Sequence, residues 1–197
     1  TLEFPQDWGL GSSSTLVVNI SKWLSINPYQ LFFAWSHGSG YYLACANANT
    51  GILYHKNGIE PVIANIDWNP SFKDEIFFLH LGEKQKSERE VKKYAQLNFD
   101  RNAAIFQVNE LTKRMVQSSS LSEFETIMHE HELLISSILQ KIPVKEQLFS
   151  DYEGSIKSLG AWGGDFVMVT KRPGFRSYFE GKGFSTLLSY EGMIYGS

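Results

Sequence analysis

Two glycines and three serines stand directly before a run of apolar residues with helical spacing, in the segment GLGSSSTLVVNISKWL. Gly9, Gly11 and Ser12 to Ser14 predict a tight turn that leads into a helix, whose apolar positions include Leu16, Val17, Ile20, Trp23 and Leu24. Such a turn directs backbone N–H groups, small hydroxyls and the positive end of the helix dipole at one place, which suits an anion. A serine N-cap on an amphipathic helix explains the same residues without any ligand.

Composition restricts the class of protein more than it identifies one. The chain has 197 residues, of which 43% are hydrophobic, so it can bury a core as one domain or two small ones. Its net charge of −3 and scattered basic residues argue against a nucleic-acid partner. No apolar run approaches the roughly 20 residues of a membrane span, so no membrane partner is expected. The single cysteine, Cys45, excludes an intramolecular disulfide and favours a reducing compartment, from which we expect a cytoplasmic protein.

Strand and helix patterns segregate along the chain and predict an α+β fold. Short β-branched and aromatic runs predict strands in GILYH, PVIANIDW, EIFFLHLG, SIKSLG, DFVMVTK and STLLSYE. Helices are predicted in NPYQLFFAW, at 88–97, 102–117 and 121–141, and in GFRSYFEGKG. Ser120 and Glu123, or Ser122 and Glu125, are predicted to form a capping box for the helix at 121–141. A change of pattern near residues 66–74 divides the chain into predicted domains 1–72 and 73–197.

A second glycine-rich turn, GAWGGD at Gly160–Asp165, predicts another place where the backbone comes close to a ligand. Neither turn continues into Gly-Lys-Ser/Thr, so neither is a P-loop. The first turn also lacks the third glycine and the clear preceding strand of a dinucleotide fingerprint. Phosphate remains the expected ligand of both turns, but not through either of these standard motifs.

Three segments in order resemble the superfamily of galactokinase, homoserine, mevalonate and phosphomevalonate kinases, called GHMP kinases. PQDWGLGSSST is similar to the phosphate loop of that family, and SIKSLGAWGGDFVMV to its C-terminal glycine motif. Between them, HGSGYYLACANANTGILY resembles a family segment that contains Ser-Gly-x-Asp-x-Ala. The resemblance extends over Pro5 to Val169 and is closest to a bacterial branch named for a Gly-Tyr-Asp-Ile-Ala motif, here Gly40 to Ala44.

The resemblance implies a GHMP-like fold and an ATP-dependent small-molecule kinase. The fold would be the remnant of an N-terminal domain followed by a ferredoxin-like sheet-and-helix domain. The acceptor would be a small alcohol or phosphate, such as a mevalonate-pathway intermediate. Ser13 would be the Mg²⁺ ligand, and Lys157 occupies the position of the family's lysine before the third motif. The implied nucleotide-binding residues are Gly9, Leu10, Gly11, Ser12, Ser13, Ser14, Gly160, Ala161, Gly163 and Gly164.

The sequence also departs from that family. Tyr42 stands where the family has its catalytic aspartate, and Trp162 replaces a glycine, where its ring would narrow the turn or stack on a ligand. The family's first motif is missing, so the chain resembles an N-terminally truncated kinase, and we expect residues 1–70 to be covered by a further segment or a second copy. Two alternatives stay open, namely an impaired nucleotide- or metabolite-binding relative and an interaction protein whose glycine turns are structural.

Overall fold

A computed structural model describes residues 4–82, 87–160, 162 and 164–194 of the chain. The chain is mixed α and β and divides into two compact units, Thr1–Trp68 and Asn69–Ser197. This division follows Trp68, whereas the sequence predicts a boundary after residue 72. The α+β class predicted from the sequence is confirmed.

The first unit consists of short helices and a hairpin. Its elements are α1 (Ser12–Leu24), α2 (Pro28–Phe33), α3 (Tyr41–Cys45), β1 (Gly51–His55) and β2 (Val62–Ile66). The strands β1 and β2 pair antiparallel, with Gly51 opposite Ile66 and His55 opposite Val62. The two strands and the helix α2 were predicted from the sequence. The helix α3 was not, because five residues are too short to display a helical period.

The helix α1 buries only some of the apolar positions that the sequence shows. Val18 and Ser21 are buried, whereas Trp23 is 82% exposed and Leu16 is 60% exposed. The helical period was recognised correctly, but the run is apolar on most sides, so the spacing alone could not select the buried face. The first unit therefore presents apolar side chains to solvent, among them Leu16, Trp23, Leu24, Ile26, Trp35, Ile59, Val62 and Ile63.

The second unit is built around an antiparallel sheet. Its described strands are β3 (Ile76–His80), β4 (Ile156–Ser158), β5 (Phe166–Thr170) and β6 (Leu187–Ser189), in the order β4-β5-β3-β6. Its helices are α4 (Ser87–Gln96), α5 (Arg101–Gln117), α6 (Leu121–Leu139), α7 (Val144–Leu148), α8 (Phe175–Gly181) and α9 (Tyr190–Met193). The sequence predicted these elements except α7 and α9, which are each five residues or fewer.

Helices cover both faces of this sheet. On one face, Phe77 and Leu79 of β3 pack with Val167 and Val169 of β5 in a core that also contains side chains of α7 and α8, namely Val144, Phe175 and Phe179. The opposite face includes Thr170, whose hydroxyl donates a hydrogen bond to Glu125 of α6. Because both faces are covered, the strand β3 is buried along almost its whole length.

The N-terminus of α6 is capped as the sequence predicts, with one difference. Ser120 is the N-cap, and its Oγ accepts a hydrogen bond from the backbone N–H of Glu123 at 3.3 Å. The difference is that the Glu123 carboxylate accepts from the backbone N–H of Ser119 at 3.0 Å, whereas in a capping box it accepts from the N-cap residue itself. The cap fixes where α6 begins, and so fixes which of its side chains reach the sheet.

We expect Gly154→Ala to destabilise the second unit by about 1 to 3 kcal/mol, because the added methyl group would overpack a closed site. A Cβ at Gly154 would lie 2.6 Å from both the carbonyl oxygen of Thr170 and the ring of Tyr152. The matched control is Gly181→Ala, where a Cβ meets nothing within 4 Å. Urea unfolding should show a loss for the first variant alone, and equal stabilities would contradict the packing described here.

Candidate functional site

The first glycine turn leads into α1 through two left-handed residues. Gly9 has φ 67° and Gly11, the N-cap of α1, has φ 79°. The serine N-cap considered from the sequence is therefore wrong, since Ser12 to Ser14 already lie in the first helical turn and no side chain caps the helix. The first N–H groups of a helix have no partner within the helix, so this end of α1 offers donors to an anion.

Tyr42 packs directly on this turn. A Cβ placed on Gly11 would lie 2.9 Å from Cδ1 of the Tyr42 ring, so only glycine leaves room for the ring. Tyr42 is in the first turn of α3, which Gly40 begins with φ 80°, and its ring lies 4.1 Å from that of Tyr41 between centroids. The structure thus brings together the first two segments that carry the family resemblance.

The strand β1 supports the turn before α3. The Tyr54 hydroxyl donates a hydrogen bond to the Ser39 carbonyl at 2.7 Å, and the side chain of Lys56, just after the strand, donates to the Gly38 carbonyl at 3.0 Å. A Cβ on the buried Gly40 would lie 3.1 Å from the Phe33 ring and 3.3 Å from the Tyr54 hydroxyl. These contacts hold Gly40, and with it the start of α3, in a fixed place.

In the second glycine turn, residues other than glycine also adopt left-handed backbone conformations. Gly160, Trp162 and Asp165 have φ values of 60°, 56° and 53°. Gly160 is exposed and Gly164 is buried, while Ala161 and Gly163 lie outside the described residues. The Asp165 carbonyl accepts a hydrogen bond from the backbone N–H of Leu81 at 2.8 Å, which ties the end of the turn to the residue after β3.

A buried carboxyl group on α6 reaches this turn. Glu132 is 4% exposed, and its two oxygens accept hydrogen bonds from the Ser158 hydroxyl at 3.1 Å and from the Trp162 indole N–H at 3.2 Å. The indole is thus directed at α6 and buried, which leaves little of the ring to stack on a ligand. Stacking, one of the two roles expected for Trp162 from the sequence, is therefore not what the ring does here.

Lys157 lies beside the same carboxyl group. Its Nζ donates a hydrogen bond to the Ser158 carbonyl at 3.1 Å, and most of its side chain is buried. Burial lowers the pKa of Lys157, and the attraction of Glu132 opposes that shift. Burial in turn raises the pKa of Glu132, and the charge of Lys157 and hydrogen bonds from Ser158 and Trp162 oppose that rise. The two groups partly compensate each other's charge in a poorly solvated place.

Sequence reasoning identified Lys157 but missed Glu132. The signal was present, because Glu132 follows Phe124 and Met128 at intervals of four residues and so lies on the buried side of α6. A charged residue on an apolar helix face requires partners, and here they come from β4 and from the second turn.

The predicted site residues fall into two groups. Gly9, Leu10, Gly11, Ser12, Ser13, Ser14 and Tyr42 belong to the first unit, and Lys157, Gly160 and Gly164 belong to the second. Within each unit the predicted residues are neighbours. Because each turn alone offers few donors for a triphosphate, the sequence also predicts that the two turns approach each other, and this stays a prediction.

No protein-family model matches this chain, and no curated protein matches it either.

In the part of the chain that the structure describes, no helix has the length and apolar character needed to cross a membrane. Within the same residues there is also no group of three or more His, Cys, Asp or Glu side chains placed to hold a metal ion.

We expect Gly11→Ala to destabilise the first unit more than Gly58→Ala does. Both positions have a positive φ, which costs an alanine roughly 1 to 2 kcal/mol, but only at Gly11 would the new methyl group also displace the Tyr42 ring. Circular dichroism during urea unfolding measures the difference. Equal losses would show that Tyr42 does not depend on a glycine at this turn.

His131 should make the second unit sensitive to acid. Burial, and then the charge of Lys157, lower the pKa of His131 to about 4, whereas an unfolded histidine titrates near about 6.5. As the pH falls through this interval, the unfolded chain takes up a proton that the folded chain does not, so the free energy of unfolding decreases. Below the pKa of about 4 that His131 has in the folded protein, its whole contribution to the free energy of unfolding has been lost.

The measurement compares wild type with His131→Gln, which removes this titration. We expect the wild-type free energy of unfolding to fall by on the order of 1 kcal/mol more than that of the variant between about pH 6.5 and pH 4. His129→Gln, on the exposed side of α6, serves as the control and should follow wild type. Parallel curves for wild type and His131→Gln would contradict the burial of His131.

Proposed function

We propose that this chain is an ATP-dependent small-molecule kinase of the GHMP type, acting on a small alcohol or phosphate such as a mevalonate-pathway intermediate. The observation that carries the proposal is the start of α1, which follows two left-handed glycines and has no side-chain cap. Its free N–H groups and dipole favour the phosphates of a nucleotide. The three segments that resemble the family are the reason to propose a kinase rather than another phosphate-binding protein.

The arrangement of the second unit also supports the proposal. Its chain order of strand, helices, strand, strand, helix and strand, with the sheet order β4-β5-β3-β6, agrees with the strand order of split β-α-β, ferredoxin-like domains and supports the proposal, whereas its helices lie on both faces of the sheet. Such a domain is what the resemblance implies for the C-terminal part of the chain. The second glycine turn follows β4, the short strand that contains Lys157.

The residues of the first turn fit the parts that phosphoryl transfer requires. Backbone N–H groups of Gly9 to Ser14 would bind the phosphates, and the exposed Ser13 hydroxyl would be a ligand of the Mg²⁺ ion that accompanies the nucleotide. Bound Mg²⁺ would neutralise charge on the transferring group. In the proposed reaction, the acceptor oxygen would form a bond to the γ-phosphorus while the bond between that phosphorus and the bridging oxygen breaks. ADP would leave, and solvent water would take the hydroxyl proton of an alcohol acceptor.

A second candidate function is that of a catalytically impaired relative, which binds a nucleotide or metabolite. The packing of Tyr42 on Gly11 favours it, because a phenol stands beside the phosphate turn where the family has a carboxylate. A tyrosine with a pKa of about 10 is a poor proton acceptor at neutral pH. General base assistance is typically worth about 10² to 10⁴ in rate, so positioning alone would leave slow turnover.

The partner and compartment proposals follow from other features. The exposed apolar side chains of α1, of the residues that flank α2 and of the β1–β2 hairpin region support our proposal that residues 1–70 pack against a further polypeptide segment or a second copy. The lone, unpaired Cys45 supports a reducing compartment, and we place the proposed kinase in the cytoplasm.

Calorimetric titration with Mg-ATP tests nucleotide binding by the whole chain. We expect wild type to bind, because the start of α1 supplies donors without a protein partner. Absence of binding would contradict both candidate functions and favour an interaction protein with purely structural glycine turns.

Release of ADP in the presence of mevalonate-type acceptors then separates the two candidates. We expect Tyr42→Asp to raise the rate at least about tenfold over wild type, since it restores a base. Tyr42→Asn is the matched control, because it has the same size as the aspartate without the base. Rapid turnover by wild type, equal to that of Tyr42→Asp, would show that Tyr42 does not limit the reaction.

A further inference from the structure

Two glutamates on α6 contact opposite ends of the β4–β5 hairpin. Glu125 accepts hydrogen bonds from the Thr170 hydroxyl, at the end of β5, and from the Arg172 guanidinium at 2.6 Å. Glu132 lies seven residues further, about two helical turns, and contacts Ser158 and Trp162 at the end where the second glycine turn begins. The two side chains have the same chemistry, but only Glu132 contacts the turn.

The conformation of Trp162 requires a specific stabilising contact. A positive φ is uncommon for any residue with a Cβ and is unfavourable for a bulky one. Trp162 nevertheless has φ 56° and is 6% exposed, and its indole N–H donates to Glu132. The freedom of glycine therefore does not explain this part of the turn, whereas the buried hydrogen bond to Glu132 does.

The chemistry of Glu132 suits it to hold both sides of the turn. Its oxygens accept from two donors that flank Gly160, one at the end of β4 and one within the turn. Acceptance by both oxygens is the arrangement of an ionised carboxylate, and Lys157 provides the compensating positive charge nearby. An apolar side chain at this position would leave the indole N–H buried without an acceptor.

We propose that Glu132 is a positioning residue, which acts through Ser158 and Trp162 to hold the second glycine turn in the conformation that binds phosphate groups. Gly160 and Gly164 would present their backbone to the phosphates only while Trp162 keeps its left-handed conformation. This inference rests on the proposed nucleotide-binding function, but the effect of Glu132 on the turn can be measured separately from it.

The first experiment measures the affinity of the full chain for Mg-ATP by calorimetry. We expect Glu132→Leu and Trp162→Phe each to weaken binding roughly tenfold, the factor that corresponds to one hydrogen bond with a charged group. The double variant should be no weaker than either single variant, because both remove the same contact. Glu132→Gln should stay close to wild type, since its amide can accept from Trp162 and donate to the Ser158 hydroxyl.

Glu125→Leu is the matched control at the other end of the hairpin. It should lower the thermal stability of the protein but leave the affinity for Mg-ATP unchanged, which separates positioning of the turn from general destabilisation. Wild-type affinity in Glu132→Leu, an equal loss in Glu125→Leu, or multiplied losses in the double variant would each overturn the proposal. If Glu132→Leu does not fold, the comparison of Trp162→Phe with Glu132→Gln decides, and equal affinities in that pair overturn it.

Amide hydrogen exchange provides a readout that needs no nucleotide. The N–H groups of Gly160, Trp162 and Gly164 should exchange faster in Glu132→Leu and Trp162→Phe than in wild type and Glu125→Leu. Should wild type fail to bind Mg-ATP, the proposed function is contradicted, and this exchange pattern alone would still support the effect of Glu132 on the turn. Unchanged exchange in Glu132→Leu would overturn the positioning role whether or not the nucleotide binds.

Discussion

The buried hydrogen bonds of Glu132 are the interaction on which the candidate site in the second unit depends. An unpaired carboxylate away from water would be strongly unfavourable, so its position on α6 requires donors from β4 and from the glycine turn. The requirement is mutual, since Trp162 has a backbone conformation that is unfavourable without such a contact. Helix, strand and turn are therefore fixed relative to one another by one side chain.

The two glycine turns achieve close backbone packing in different ways. In the first, Gly9 and Gly11 adopt left-handed conformations without strain, and the missing Cβ of Gly11 is what admits the Tyr42 ring. In the second, Trp162 and Asp165 adopt the same conformation with side chains present. The hydrogen bond that the Trp162 indole donates to Glu132 and the one that the Asp165 carbonyl accepts from Leu81 hold them. The first turn thus depends on residue size, and the second on buried polar contacts.

The proposed chemistry follows from this difference. A helix start without a side-chain cap leaves donors for phosphate, and glycine conformations keep side chains away from it. Under the proposed function, the neighbouring phenol of Tyr42 would contribute packing but no efficient base, so nucleotide binding and turnover would be separable. Lys157 and Glu132 oppose each other's pKa shifts in a poorly solvated place, and the hydrogen bonds that Glu132 accepts from Ser158 and Trp162 hold the second turn.

Sequence alone determined the elements whose signals are local. The buried run of β3, the long periodic segments of α5 and α6, and the Ser120 cap all follow from neighbouring residues. Sequence also indicated the glycine turns and Lys157, because backbone freedom and motif order are visible in the chain itself. Tertiary structure decided which face α1 buries, that Gly11 rather than a serine caps it, and that Glu132 reaches Trp162. These depend on contacts between residues far apart in the chain, whose energies no local pattern contains.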